Sequence, residues 1–250
     1  MWLILCYSTD AAALWVRSGL VGRGLKPIEL ILADTLTAGP RFEHRVSNGG
    51  VCTTVRFPGG RTIRDVEVQG TLNRLQYAPV EELLFSPSDR DYVRQEMYSF
   101  FLSWLSALPG PMLNRPTAFG LSGQWRHSSE WVFLAASAGL PVPGYAESAG
   151  RGFVPLTAGV RLASLSVQLT TVLLIAGTVI GPTMPAPIAE GCRRLAGLSQ
   201  TAILGVEFCP GIKSEWTFAG VTTHPDLRLG GPAALEALER ALRDGTEPPR

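Results

Sequence analysis

Apolar and polar positions alternate along this chain in blocks that change period. Trp2-Leu3-Ile4-Leu5-Cys6 is a run of apolar residues of strand length. Asp10 then stands where a helix cap belongs, and Ala11, Leu14, Trp15 and Leu20 give a helical stripe ending at Gly22 and Gly24. Ile28 to Leu32 is a second apolar strand, so the first thirty or so residues read as a parallel βαβ unit. Arg41–Val46 and Val51–Phe57 alternate as strands across Ser47-Asn48-Gly49-Gly50, and Asn-Gly in a short loop predicts a hairpin. Extended stretches follow at Arg61–Val68 and Thr71–Leu75. Ser88 or Asp89 opens a helix to about Leu108. Tyr92, Met97, Phe100, Phe101, Trp104 and Leu105 make it apolar almost all round, which predicts burial against a sheet.

Beyond Pro109-Gly110-Pro111, Met112–Pro116 reads as a short strand into a turn. A helix from Ser122 or Ser128 ends at Ala138-Gly139. Gly144–Arg151 is a glycine-containing connector. A helix at about Pro187–Leu198, strands at Ala202–Phe208 and Glu215–Val221, and an amphipathic helix at Ala233–Arg243 complete the pattern. The twenty residues Leu162–Gly181 carry no charge, long enough to span a bilayer as a helix. Their Thr and Val richness, the alternation Leu169, Thr171, Leu173, Ile175 and the Ala176-Gly177 turn predict a β-hairpin instead. A membrane-associated protein using 162–181 is the alternative.

Composition narrows the function classes. With 46% hydrophobic and 17% charged residues, this is a folded chain. A net charge of +1 gives no electrostatic case for nucleic acid. Cys6, Cys52, Cys192 and Cys209 have no C-x-x-C spacing, which points to buried free thiols in a reducing compartment, hence the cytoplasm. Met1–Cys6 lacks a basic n-region, so no signal peptide is expected.

Several landmarks, in this order, carry a resemblance. They are Arg74 after a strand, Ser86-Pro87 before a helix with Glu96, Leu113-Asn114-Arg115-Pro116, Ala138-Gly139-Leu140-Pro141-Val142-Pro143, Ile203–Phe208, and Trp216–Pro225. Together they resemble the ATP-grasp carboxylate–amine ligases, in particular the glutamate-ligase-like enzymes that mature ribosomal peptides. The resemblance implies an α/β chain with a pre-ATP-grasp-like α/β domain over 1–115. It also implies a truncated ATP-grasp-like α+β domain over 116–250, lacking most of the nucleotide-binding small subdomain.

The family's ligands are missing at the matching positions. Ala219 stands where the family has the metal-binding Glu, and Thr222 where it has Asn. Ser128 replaces a phosphate-binding Lys, and the connector 144–159 has no Lys for the second. A methyl group cannot replace a hard oxygen donor to Mg²⁺. Glu207 is the single surviving metal-ligand position, and Arg126 and His127 remain as an anion-site remnant at a helix start. Taken as a structural residue, Glu207 is instead an edge carboxylate paired with an Arg, and His224 beside Pro225 is a turn residue.

The reading is a non-catalytic homologue, with no catalytic residues and no cofactor. It serves as a binding, regulatory or structural subunit for a protein or peptide partner in peptide modification, as a homodimer or as a heterodimer with an active paralogue. The alternative is a divergent ATP-dependent carboxylate–amine ligase acting through an acyl-phosphate. Mg-ATP would then be held by Arg115, Arg126, Arg161 and Glu207, since Arg also grips phosphate.

Overall fold

The structure, a computed structural model, describes residues 1–37, 40–79, 86, 88–145, 169–209 and 216–245. Strand β1 (Trp2–Cys6), helix α1 (Ala11–Gly22) and strand β2 (Ile28–Leu32) form the expected unit, with β1 and β2 parallel. The Asp10 carboxylate accepts the Ala13 amide at 3.0 Å and so caps α1. The buried face of α1 is Ala12, Ala13, Val16 and Leu20, so the stripe is rotated from the expected one and Leu14 is exposed. A short helix α2 (Ala33–Thr37) follows. Strand β3 (Arg41–Ser47) pairs with β4 (Gly50–Arg56) as the predicted hairpin, and β5 (Thr62–Arg64) joins β4.

Strand β6 (Gly70–Asn73) lies beside β1, helix α3 spans Arg90–Ala107, and β7 (Met112–Leu113) closes an all-parallel sheet of order β2-β1-β6-β7. Helix α4 (Ser128–Ser137) leads to residues 146–168, which lie outside the described residues and hold most of the expected connector. Strands β8 (Thr170–Ile175) and β9 (Thr178–Ile180), helix α5 (Ala186–Ser199), strands β10 (Ile203–Cys209) and β11 (Thr217–Thr222) and helix α6 (Gly231–Asp244) complete the fold. The second sheet has the order β11-β10-β8-β9 and is antiparallel.

The described part of the uncharged run is thus a hairpin, with Ala176 and Gly177 both at positive φ (46° and 81°). This is the backbone a two-residue hairpin loop requires. No helix among the described residues is long and apolar enough to cross a membrane. Alanine is strained in that region and glycine is not. Ala176→Gly is therefore expected to stabilise the protein by about 0.5–1 kcal/mol, read as a raised urea midpoint.

Among the described residues, three cores follow from side-chain alternation. Ile4 and Cys6 of β1 face α1 and α6, whereas Leu3 and Leu5 face the β3–β5 sheet and α3. The third core packs α4 and α5 on one face of the second sheet. Helix α6 returns to the N-terminal sheet: Ala234, Ala237, Leu238, Ala241 and Leu242 pack with Val16, Leu72 and Leu113, and with Ile175 and Ile203 of the second sheet. Helix α3 departs from expectation. Only Phe101, Trp104 and Leu105 are buried, and Tyr92 is exposed, because the helix meets the β3–β5 sheet along one side only. Cys6 and Cys192 are buried, and burial pushes both thiols up to about 12. Cys52, expected to be buried, is exposed on β4.

Candidate functional site

The carboxyl ends of parallel strands are where open α/β sheets place their ligands. Here β1 ends four residues before Asp10, and β6 ends immediately before Arg74. The Arg74 Nε donates to Asp10 Oδ2 at 2.6 Å, and its Nη2 donates to Asp10 Oδ1 at 3.3 Å and to the Pro225 carbonyl at 3.2 Å. His224 Nε2 lies 3.1 Å from Asp10 Oδ2. An ionised carboxylate only accepts, so Nε2 carries the proton in this contact. The Nδ1 of the same ring is buried without a partner. Burial by itself would raise the Asp10 pKa. The hydrogen bonds from His224 and Arg74, the Arg74 charge and the Ala13 amide outweigh it and hold the carboxyl far below the usual range. His224 is a turn residue, as expected, and also the link from the end of β11 to the first sheet.

A second junction is built on Asn114, which has φ 59° and is buried. Its Nδ2 donates to the carbonyls of Ile203 (3.1 Å) and Thr223 (2.9 Å), and its Oδ1 accepts the Ile203 amide at 2.8 Å. Asn73 Nδ2 donates to the Asn114 carbonyl at 3.1 Å. At this second junction the two sheets are therefore held together by an asparagine side chain whose donors and acceptor are all used.

Between these junctions and α4 opens a cavity of about 420 Å³. Its walls include Gln76 and Tyr77 after β6, Trp125, Arg126, Ser128 and Trp131 around the start of α4, and β11 from Phe218 to Thr222 with Thr223 just beyond it. Among the described strands β11 is at the edge of its sheet, and its register against β10 shifts at Glu207/Phe208. Glu207 pairs with Gly220 and Phe208 with Phe218, which leaves Ala219 as the extra residue of a bulge.

The expected site residues separate here. Arg126 lines the cavity and is 12% exposed. Its Nη1 donates to Glu130 (2.6 Å), its Nη2 to Gln124 (2.9 Å), and its Nε is buried without a partner. Its Cζ stands 5.8 Å from the Trp131 ring centre. His127 is outside the cavity lining and caps α4: its Nδ1 accepts the Ser129 amide at 3.3 Å. Glu207 lies on a central strand, not an edge. It does not line the cavity, and no ion pair reaches it among the described residues. Arg115 donates to the Ser106 and Gly110 carbonyls at the end of α3. Arg161 lies outside the described residues. Asp226 and Arg228 make a local ion pair, which holds the Asp226 carboxyl below its ordinary pKa.

The described lining does not fit Mg-ATP. Ala219 and Thr222 both face the cavity, the Thr222 hydroxyl already accepts the His224 amide (3.0 Å), and the lining has no carboxylate and one cation. Among the described residues no group of three His, Cys, Asp or Glu side chains could hold a metal ion. Sequence reading missed the aromatic wall. Tyr77 and Trp125 are 72% and 68% exposed, and both stand in irregular segments where no period marks them.

No protein-family model matches the chain, and no curated protein matches it. Solved structures do. The macrocyclase MdnC from Microcystis aeruginosa MRC, bound with precursor peptide MdnA, superposes with a TM-score of 0.75 at 12% identity, covering 98% of this chain and 100% of that one. The Chryseobacterium gregarium RiPP-associated ATP-grasp ligase, in complex with ADP and a leader and core peptide, gives 0.72 at 11%, covering 100% and 97%. The macrocyclase MdnB from Microcystis aeruginosa MRC gives 0.71 at 14%, covering 97% and 98%. The chain therefore has the α/β fold of the ATP-grasp ligases over nearly its whole length.

Proposed function

We propose that this protein is a non-catalytic ATP-grasp homologue that holds a peptide or protein partner. One observation carries the reading: the cavity beside the edge strand presents Ala219, Thr222, Ser128 and Arg126, with no carboxylate among its described walls. Phosphoryl transfer needs metal ions bridging the phosphates and more than one positive group on the developing charge. A cavity walled by aromatic rings and one arginine suits a peptide. The MdnC and Chryseobacterium gregarium structures, each described with a peptide bound, support the same class of ligand. The partner is a peptide undergoing modification, or a second subunit, either another copy or an active paralogue. The cytoplasm suits its free thiols.

The divergent-ligase reading has less support. Arg115 is committed to backbone carbonyls and Glu207 does not line the cavity. Incubating the protein with Mg-ATP and short acidic peptides separates the two. The expected result is no ADP above the buffer rate and no peptide losing a water by mass spectrometry. ADP formation that disappears in Arg126→Gln would establish the ligase instead.

A further inference from the structure

Among the described residues, the outer side of β11 is met at one end only. Phe218 N–H donates to the Pro141 carbonyl at 2.7 Å, so the segment after α4 already runs beside the strand at that point. Pro141 and Pro143 have no N–H to give, and the segment cannot continue as a ladder. From Ala219 to Thr222 no backbone hydrogen bond reaches that edge among the described residues, and these residues line the cavity. A free sheet edge beside a hollow is a template for an extended chain.

The opposite wall supplies the chemistry of the side chains. Arg126 is the one charged residue in the described lining, and its Nε is buried with no acceptor. Its contact with Glu130 is to a half-exposed carboxylate, a pairing worth little in solvent. Tyr77 and Trp125 also wall a second hollow of about 180 Å³ that includes Phe119, so an aromatic trough leads out of the cavity.

We propose that an extended peptide adds to the free edge of β11 as a further strand. A carboxylate side chain of the peptide meets Arg126, and an apolar or aromatic side chain lies at Tyr77 and Trp125. The proposal rests on the peptide-binding reading above and states how the peptide is held. Outward backbone groups of β11 with no partner among the described residues ask for a partner backbone, and a lone arginine with a spare N–H asks for one carboxylate.

The test is selection of a random short-peptide library on the intact protein, followed by synthesis of an enriched acidic peptide. N-methylation of that peptide at alternate residues is expected to weaken binding about tenfold or more, with the intervening residues tolerant. Glu→Gln in the peptide and Arg126→Gln in the protein are each expected to weaken it about tenfold, and together by no more than either alone. If Arg126→Gln does not fold, Glu130→Gln serves: freeing the arginine is expected to tighten the acidic peptide about threefold. A peptide that binds but tolerates N-methylation without alternation overturns the strand-addition mode alone. Independent, additive losses, or unchanged affinity in Glu130→Gln, overturn the arginine contact. A library that enriches nothing overturns the peptide-binding reading itself, and this inference with it.

Discussion

Arg74→Ala is expected to destabilise the protein by about 3–5 kcal/mol, the cost of leaving a buried carboxylate without its arginine. The Arg74 and Asp10 side chains are only 4% and 6% exposed, and the guanidinium also holds the Pro225 carbonyl. For a chain of this length the loss should lower the melting temperature on the order of 10 °C. Arg74→Lys, which keeps the charge and loses the fork, should fall between the two. The pH dependence has a defined sign. Asp10 is held far below its ordinary pKa in the folded protein, so its stabilisation is fully present above about pH 4 and is lost as the pH falls below that. Arg74→Ala should flatten that acid limb. An unchanged denaturant midpoint, or an unchanged acid limb, would show that the pair is not the clamp described above.

Asn114→Ala is expected to cost about 3–5 kcal/mol as well, for a different reason. It strands the buried Ile203 amide and removes both donors from the Ile203 and Thr223 carbonyls. Each unsatisfied buried group costs about 1–3 kcal/mol. Alanine at φ 59° adds about 1 kcal/mol more. Asn114→Gly separates the two contributions, since it relieves the backbone and not the hydrogen bonds. It should recover about 1 kcal/mol of the loss in urea unfolding. If Gly and Ala destabilise equally, the left-handed backbone contributes nothing. If neither destabilises, Asn114 is not a junction.

The elements that were legible in the sequence are those whose signals are local. Trp2–Cys6 and Ile28–Leu32 are apolar runs bracketing a capped helix, and nothing distant is needed to read them as βαβ. Asn48-Gly49 stands as the two-residue loop between β3 and β4, and Ala176-Gly177 turns its hairpin through positive φ at both residues. The order of motifs from Arg74 to Pro225 pointed to the fold that the solved structures share. What was hidden depends on which surfaces meet. The aromatic run of α3 looks the same whether one side or all sides are covered, and only Phe101, Trp104 and Leu105 are buried. Nothing in the α6 stripe says that it packs on the first sheet as well as the second. Asp10 reads as a cap, which it is, but its contact with His224 joins residues 214 positions apart. The bulge at Ala219 is a matter of register between two strands and leaves no mark in composition.

At the cavity, Arg126 and the exchanged positions Ala219, Thr222 and Ser128, each singled out in the sequence by its residue type, all stand in the lining. By sequence Glu207 holds a metal-ligand position and His127 a share in an anion site, and neither residue lines the cavity. Glu207 sits within a sheet rather than at its rim, and the His127 ring is spent on the end of α4.

The measurement that bears most directly on the proposal that the cavity takes a peptide rather than a nucleotide is a paired thermal-shift titration. One arm takes Mg-ATP, with Mg²⁺ alone and ATP alone as controls, and the other takes an acidic peptide enriched by selection. A ligand at about a hundred times its Kd stabilises the folded state by roughly 2.7 kcal/mol, several degrees for a chain of this size. The expected result is that the peptide raises the melting temperature and Mg-ATP does not, up to millimolar concentrations. A Mg-dependent shift with ATP would contradict the account and make this protein a working ligase with an unfamiliar set of ligands.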